Sequence, residues 1–429
     1  MKYSKNYPWV VVGLLWMVAL LNYMDRQMLS TMKPSMQVDI AELQSATNFG
    51  YLMAIFLWIY GLMSPVSGII ADKFNRKWLI TGSLFVWSGV TFAMGYATTF
   101  EQLYWLRAIM GVSEALYIPA GLSLIADFHQ SKTRSLAVGI HMTGLYMGQA
   151  LGGFGATIAN RYSWQETFHT FGMIGIVYSL VLILFLREYK SGEKEPVLAG
   201  RNGRVPKSSI FKGLGLLLTN VSFWVILIYF AIPSLPGWAT KNWLPTLFAE
   251  NLGIDMSRAG PLSTITIAAS SFLGVIFGGI LSDRWVQRNL RGRVYTSAIG
   301  LGLTIPSLFL LGFGDSLFHV VGAAFCFGFG FGMFDANNMP ILCQFVSSKY
   351  RATAYGLMNM TGVFAGAFIT NLLGKSTDAG NLGKDFAMLA GIVLVALLIQ
   401  LYFLRPKAND YVDAVEPKTP EPLGAQVHN

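Results

Sequence analysis

The chain is 429 residues long, 53% hydrophobic and 12% charged, with a formal net charge of +9 and a mean hydropathy of +0.49. A soluble domain carries about twice that charged fraction, so the composition excludes a water-soluble enzyme and makes lipid the solvent for most of the surface. Two cysteines, Cys326 and Cys343, fall in apolar runs, read as small core residues, and provide neither a disulfide framework nor metal-ligand spacing.

Apolar runs of roughly 20 residues read as membrane helices. The first begins close behind Met1 and Lys2, is too long for a signal-peptide core and lacks a convincing cleavage site, so it reads as a retained span. Six runs fall at 9–30, 46–70, 78–97, 101–125, 136–159 and 167–186, and six more at 215–245, 259–281, 295–313, 316–343, 352–373 and 384–404. The expected organisation is a six-helix bundle over 1–186, a cytoplasmic linker over 187–214, a second six-helix bundle over 215–404 and a cytoplasmic tail over 405–429. Span 316–343 is longer than one crossing needs. With both termini cytoplasmic, 23 of the 31 Lys and Arg residues lie on the inside. That is the positive-inside pattern, and it accounts for the basic charge through anionic headgroups rather than nucleic acid.

One internal repeat sets the architecture. Gly68-x-x-x-Asp72-Lys73-x-x-Arg76-Lys77 closes the second span, and Gly279-x-x-x-Asp283-Arg284-x-x-x-Arg288 closes the eighth, 211 residues later. Glycine lets two helices touch, the aspartate faces a helix terminus or a basic partner, and the basic residues anchor the loop. Gly68, Asp72, Arg76, Gly279, Asp283 and Arg284 therefore read as a conformational latch, present once in each half. Paired loops of this form, twelve spans and a central linker resemble the major facilitator superfamily across essentially the whole chain. The resemblance implies an all-α membrane protein: twelve transmembrane helices in two pseudo-symmetric six-helix bundles, with a substrate site between them near the bilayer midplane.

Charge in the hydrocarbon region costs roughly 2.5–3.5 kcal/mol on insertion scales, so it usually faces a cavity and acts. Four such residues stand out: Asp25 and Arg26 in the outer part of span one, and Arg107 and Glu114 in span four. About two helical turns separate Arg107 from Glu114, so both project from one face. Two acids and two bases can simply neutralise one another and fix helix packing. The same groups suit a proton-coupled anion carrier. An arginine fork grips a carboxylate through two parallel hydrogen bonds and stays charged, while a desolvated carboxyl can hold and release a proton near neutral pH. This reading makes Arg107 and Arg26 anion ligands, with Glu114 and Asp25 as the proton-carrying acids.

In the second half, Asp335 is either a further proton site or an acid paired locally near the membrane edge. Tyr146 and Gln149 in span five, Asn338 beside Asp335 and Asn359 in span eleven are candidates to line the cavity and bond hydroxyl groups. Lys241 reads as a residue of the outer mouth, attracting anions or snorkelling. Pro233 and Pro236 are expected to kink or break span seven, and Gly144, Gly148, Gly152 and Ala156 recur at the spacing of close helix packing.

Two branches of the superfamily resemble the chain. The anion:cation symporters of sugar acids and organic anions share the pattern of Asp25, Arg26, Arg107 and Glu114, and the run Trp243-Leu244-Pro245-Thr246. Spinster-type lipid and lysolipid carriers share Asn22-Tyr23-Met24-Asp25-Arg26-Gln27, Asn75-Arg76-Lys77 and Gly111-Val112-Ser113-Glu114-Ala115. The polar candidates Gln149, Asn338, Asn359 and Tyr146 favour a sugar acid of the hexuronate, aldonate or sialic-acid type, carried by proton-coupled symport, over the lipid alternative. Five scattered histidines and no nucleophile–base pair or Walker loop argue against an enzyme, a metal, a cofactor or ATP. The short linker and tail argue against a non-transporting sensor. The expected partners are a small anionic solute, protons or sodium in their place, and the bilayer of a cell (inner) membrane, with the chain a monomer.

Overall fold

The computed structural model describes residues 6–129, 131–189, 217–219, 221–346 and 351–406. Among these it has fifteen α-helices. In the first half they are α1 (Tyr7–Asp39), α2 (Ala46–Lys73), α3 (Arg76–Met94), α4 (Phe100–Ala115), α5 (Tyr117–Phe128), α6 (Ser131–Gly152), α7 (Gly155–Arg161) and α8 (Trp164–Phe185). In the second they are α9 (Val221–Leu252), α10 (Met256–Val286), α11 (Gly292–Phe313), α12 (Leu317–Asp335), α13 (Asn338–Phe345), α14 (Arg351–Asp378) and α15 (Leu382–Phe403). The pairs α4–α5, α6–α7 and α12–α13 each form one interrupted crossing, so the helices make twelve. Ten spans are long and apolar enough on their own to cross a membrane; α3 and the α6–α7 pair supply the other two. Most of the linker proposed for 187–214 and of the tail from 405 lies outside the described residues.

Side-chain caps set many helix starts. Asn75 accepts from the Trp78 amide, Ser163 from Glu166 and Asp255 from Ser257, while Thr99 and Gln102 close a capping box at α4. Three sequence expectations are corrected. The first helix continues to Asp39 instead of stopping near residue 30, which moves Asp25 and Arg26 from its outer part to its middle. Pro233 and Pro236 do not break α9, which runs unbroken through them and Pro245; a proline ring is tolerated where neighbouring helices cover the freed carbonyl. Cys326 is an exposed free thiol rather than a core residue, because a membrane helix turns apolar side chains outward as well as inward.

Packing between helices is closest where the sequence places small residues. A Cβ added to Gly144 would lie 2.6 Å from the Trp16 carbonyl oxygen, and one added to Gly152 would lie 2.6 Å from Gln27 Cβ. The glycine stripe of α6 therefore lets its backbone rest on α1, as the spacing predicts.

The two halves meet along two main seams, α2 on α14 and α6 on α10, with α9 against α1. At the end remote from the chain termini these seams are fastened. Asp378 at the end of α14 accepts hydrogen bonds from the Ser45 hydroxyl (2.8 Å) and the amides of Ala46 (2.7 Å) and Thr47 (2.8 Å), so it caps α2 from the opposite half. The Thr157 hydroxyl donates to the Ser257 carbonyl (2.8 Å), and the Thr264 hydroxyl to the Ala150 carbonyl (3.1 Å). Asn160 donates to Asp255 (3.4 Å), whose carboxyl is held below the usual carboxylate range by hydrogen bonds from Ser257.

The latch residues sit at the other end. Arg76 pairs with Asp127 of its own half, and Asp283 with Arg293 of its own half (3.3 Å), while Arg284 is exposed. Among the described residues, the expected helix contact at the two latch glycines is not present: a Cβ on Gly68 or Gly279 would meet nothing within 4 Å. The Asp72 side chain lies outside the described residues.

Candidate functional site between the two halves

The site is built around Glu114, which is fully buried near the C-terminus of α4. Two reciprocal hydrogen bonds beside it tie α4 to α3: the Ser83 hydroxyl donates to the Ser113 carbonyl (2.5 Å) and the Ser113 hydroxyl to the Ser83 carbonyl (2.8 Å). One carboxylate oxygen, Oε2, accepts from Asn22 Nδ2 (2.8 Å) and Arg26 Nε (2.5 Å), both on α1. The other, Oε1, is buried with no hydrogen-bond partner, as is Arg26 Nη2. The Arg26 guanidinium lies over three rings, those of Tyr60 (4.7 Å), Phe56 (4.8 Å) and Tyr23 (5.1 Å). An ion pair so enclosed has little water to screen it, and removing one partner strands the other.

The remaining members of the sequence quartet do not close a second pair. Asp25 is one residue from Arg26, and the helical step of about 100° turns it away. It faces α3, where the Thr91 hydroxyl approaches Oδ2 at 3.5 Å and Oδ1 has no partner. Arg107 is only 3% exposed; Nη1 approaches the Met110 sulfur at 3.1 Å and the guanidinium sits over the Phe56 ring at 4.6 Å. Phe56 thus carries both arginines. No sequence signal marks it, since one more phenylalanine in an apolar run looks like lipid-facing filler.

Between the halves, a small cavity is lined by Tyr23, Arg26, Gln27 and Gln149 from the first half and by Trp238, Lys241 and Asn242 from the second. Two residues placed by sequence as cavity candidates, Arg26 and Gln149, are in this wall. Tyr146 is not in this wall; it is half-buried on α6, with its ring 6.0 Å from Phe272 of α10. Asn359 bridges the halves instead, donating to Ser64 (2.9 Å). Asn338 is buried and engaged on both sides, accepting from Tyr229 (3.1 Å) and donating to Asp335 (3.1 Å). Asp335 is the last residue of α12, exposed where that crossing is interrupted. Lys241, read from sequence as an outer-mouth residue, is in the cavity wall. Its backbone carbonyl accepts from Gln27 (2.8 Å) and its ammonium lies over the Trp238 ring (4.7 Å). No group of three or more His, Cys, Asp or Glu residues able to hold a metal occurs among the described residues.

Two six-helix halves, a cavity between them and a buried ion pair on its wall are accompanied by a sequence match over residues 15–370 to the Major Facilitator Superfamily. The chain belongs to that superfamily. It is a multi-pass membrane transporter and not an enzyme. Among superfamily relatives, the chloroplastic ascorbate transporter of Arabidopsis thaliana is 25% identical over 91% of this chain and 74% of its own length. The hexuronate transporter of Escherichia coli (strain K12) is 24% identical over 95% of this chain and 96% of its own. In fold, the chain is similar to a bacterial homolog of the human lysosomal transporter Spinster, solved inward-facing and unoccupied, with a TM-score of 0.80, 20% identity and coverage of 95% of this chain and 99% of that one.

Proposed function

We propose that the protein carries a sugar acid or related organic anion, of hexuronate, aldonate or sialic-acid type, across a cell (inner) membrane by proton-coupled symport and alternating access. The observation that supports this is the single-oxygen pairing of Glu114 with Arg26 at the edge of the inter-half cavity. Protonating Glu114 would remove the charge that holds Arg26 and free the guanidinium for a carboxylate from solution, which it can grip with parallel hydrogen bonds. Proton and anion then favour each other's binding, which is the requirement for symport. Asp25, buried against Thr91, is the second candidate proton carrier, and Asp335 the third. Arg107 acts behind Phe56, shaping the field at the site rather than touching the cavity. The relatives named for hexuronate and ascorbate transport agree with an acidic sugar-derived solute. The basic loops support cytoplasmic termini, and on that reading the fastened end is extracytoplasmic and the conformation inward-facing.

The test is uptake into proteoliposomes under an imposed proton gradient, with glucuronate, galacturonate and gluconate as solutes. Accumulation by the wild type and its loss in Glu114→Gln, with solute exchange retained, is the expected result. Gradient-driven accumulation by Glu114→Gln would falsify the coupling scheme. Competition by lysophospholipids but by none of the three acids would establish the lipid-carrier alternative instead.

A further inference from the structure

The cavity wall holds two cations, and among the described residues only one of them has a carboxylate within ion-pair distance. Arg26 is committed to Glu114 at 2.5 Å. Among the described residues, no carboxylate oxygen lies within 4.0 Å of the Lys241 ammonium; Asp335 and Arg26 are the charged groups that act on it from further away. Lys241 is half-buried, and it is held in place. Its backbone is tied to Gln27 of the other half, and its side chain rests on Trp238.

We propose that Lys241 is the second-half ligand of the substrate carboxylate, so that the anion is gripped by one cation from each half. This rests on the anion-carrier reading above and deepens it. Several amide groups around the cavity are also uncommitted. Among the described residues, Gln149 makes no hydrogen bond, and Gln27 and Asn242 use their nitrogens (towards Ser30 and Lys241, and towards Thr370) but not their oxygens. A cation surrounded by free amide acceptors suits a carboxylate carried on a polyhydroxylated chain: the acid meets Lys241 and the hydroxyls donate to the amides. Because α1 and α9 belong to different halves, such a solute draws the halves together at mid-depth, and its charge offsets the repulsion between Lys241 and Arg26 once Glu114 is protonated.

The experiment compares the wild type, Lys241→Gln and Lys241→Arg, each full-length in proteoliposomes, for uptake of glucuronate, galacturonate and gluconate. Inhibition by the neutral amide of each transported acid is measured in parallel. Losing one charge-assisted contact corresponds to a rise of about 10- to 100-fold in KM for the acid. Lys241→Gln is expected to show this rise with inhibition by the amide unchanged, and Lys241→Arg to keep the wild-type KM. An unchanged KM for the acid in Lys241→Gln, or equal losses for acid and amide, overturns the assignment of Lys241 while wild-type uptake keeps the anion reading intact. No uptake of any acid by the wild type overturns both.

Discussion

Replacing Asp378 by alanine removes a cap that α14 of one half places on α2 of the other. Three hydrogen bonds of 2.7–2.8 Å are lost, two of them from the first backbone amides of α2. Asp378 is exposed, so water replaces part of what is lost, and the full value of a buried charged hydrogen bond does not apply. Losing a helix cap costs about 1 kcal/mol, and losing the carboxylate from the helix N-terminus about 0.3–1 kcal/mol more, for a total of about 1–2 kcal/mol. On the alternating-access reading proposed above, these bonds exist only while the far end is shut, so the whole cost is expected to fall on that conformation and not on the fold of either half. The population with the far end open should rise about 5- to 30-fold. Spin labels at Glu42→Cys and Ala379→Cys, both exposed at that end, with Cys326 and Cys343 replaced by serine, report it through double electron–electron resonance distances. An Asp378→Ala distance distribution identical to that of the unmutated carrier would refute the reasoning. So would a lowered melting temperature with no change in the distances.

Other substitutions separate packing from switching. A Cβ at Gly152 collides with α1 whereas one at Gly279 meets nothing, so Gly152→Ala should destabilise the protein by about 1–3 kcal/mol and Gly279→Ala should leave its melting temperature in detergent unchanged. Asn359→Ala removes one bond between the halves worth about 0.5–1.5 kcal/mol, and should raise cysteine accessibility along α2 without lowering the melting temperature. Phe56→Leu takes away the ring shared by Arg26 and Arg107, each cation–π contact being worth about 0.5–2 kcal/mol, and should slow uptake while leaving Asn22 and Glu114 paired.

The twelve crossings and their division into two halves were legible because each needs only a run of apolar residues, and the repeated loop supplied the symmetry. The pairing of Arg26 with Glu114 was legible in part. Intramembrane charge is rare enough to draw notice, but sequence distance does not say which acid meets which base. Asp25 and Arg26 are neighbours that a helix turns apart, and Arg107 shares a helix with Glu114 yet faces Phe56. Lys241 was placed near the outer mouth because span seven reads as ending at residue 245, whereas its helix continues to Leu252. Contacts between halves, such as Asp378 on α2, leave no local signature at all: the partners are more than 330 residues apart.

The two seams between the halves are unequal. Along α2 and α14 the halves touch from Asp378 at Ser45, through the Trp58 and Phe364 rings (5.1 Å), to Asn359 at Ser64. Along α6 and α10 they touch at Thr264 and Ala150 and at Tyr146 and Phe272. A carrier with one long seam and one short one works less like a pair of rocking jaws than like a door on a tall hinge.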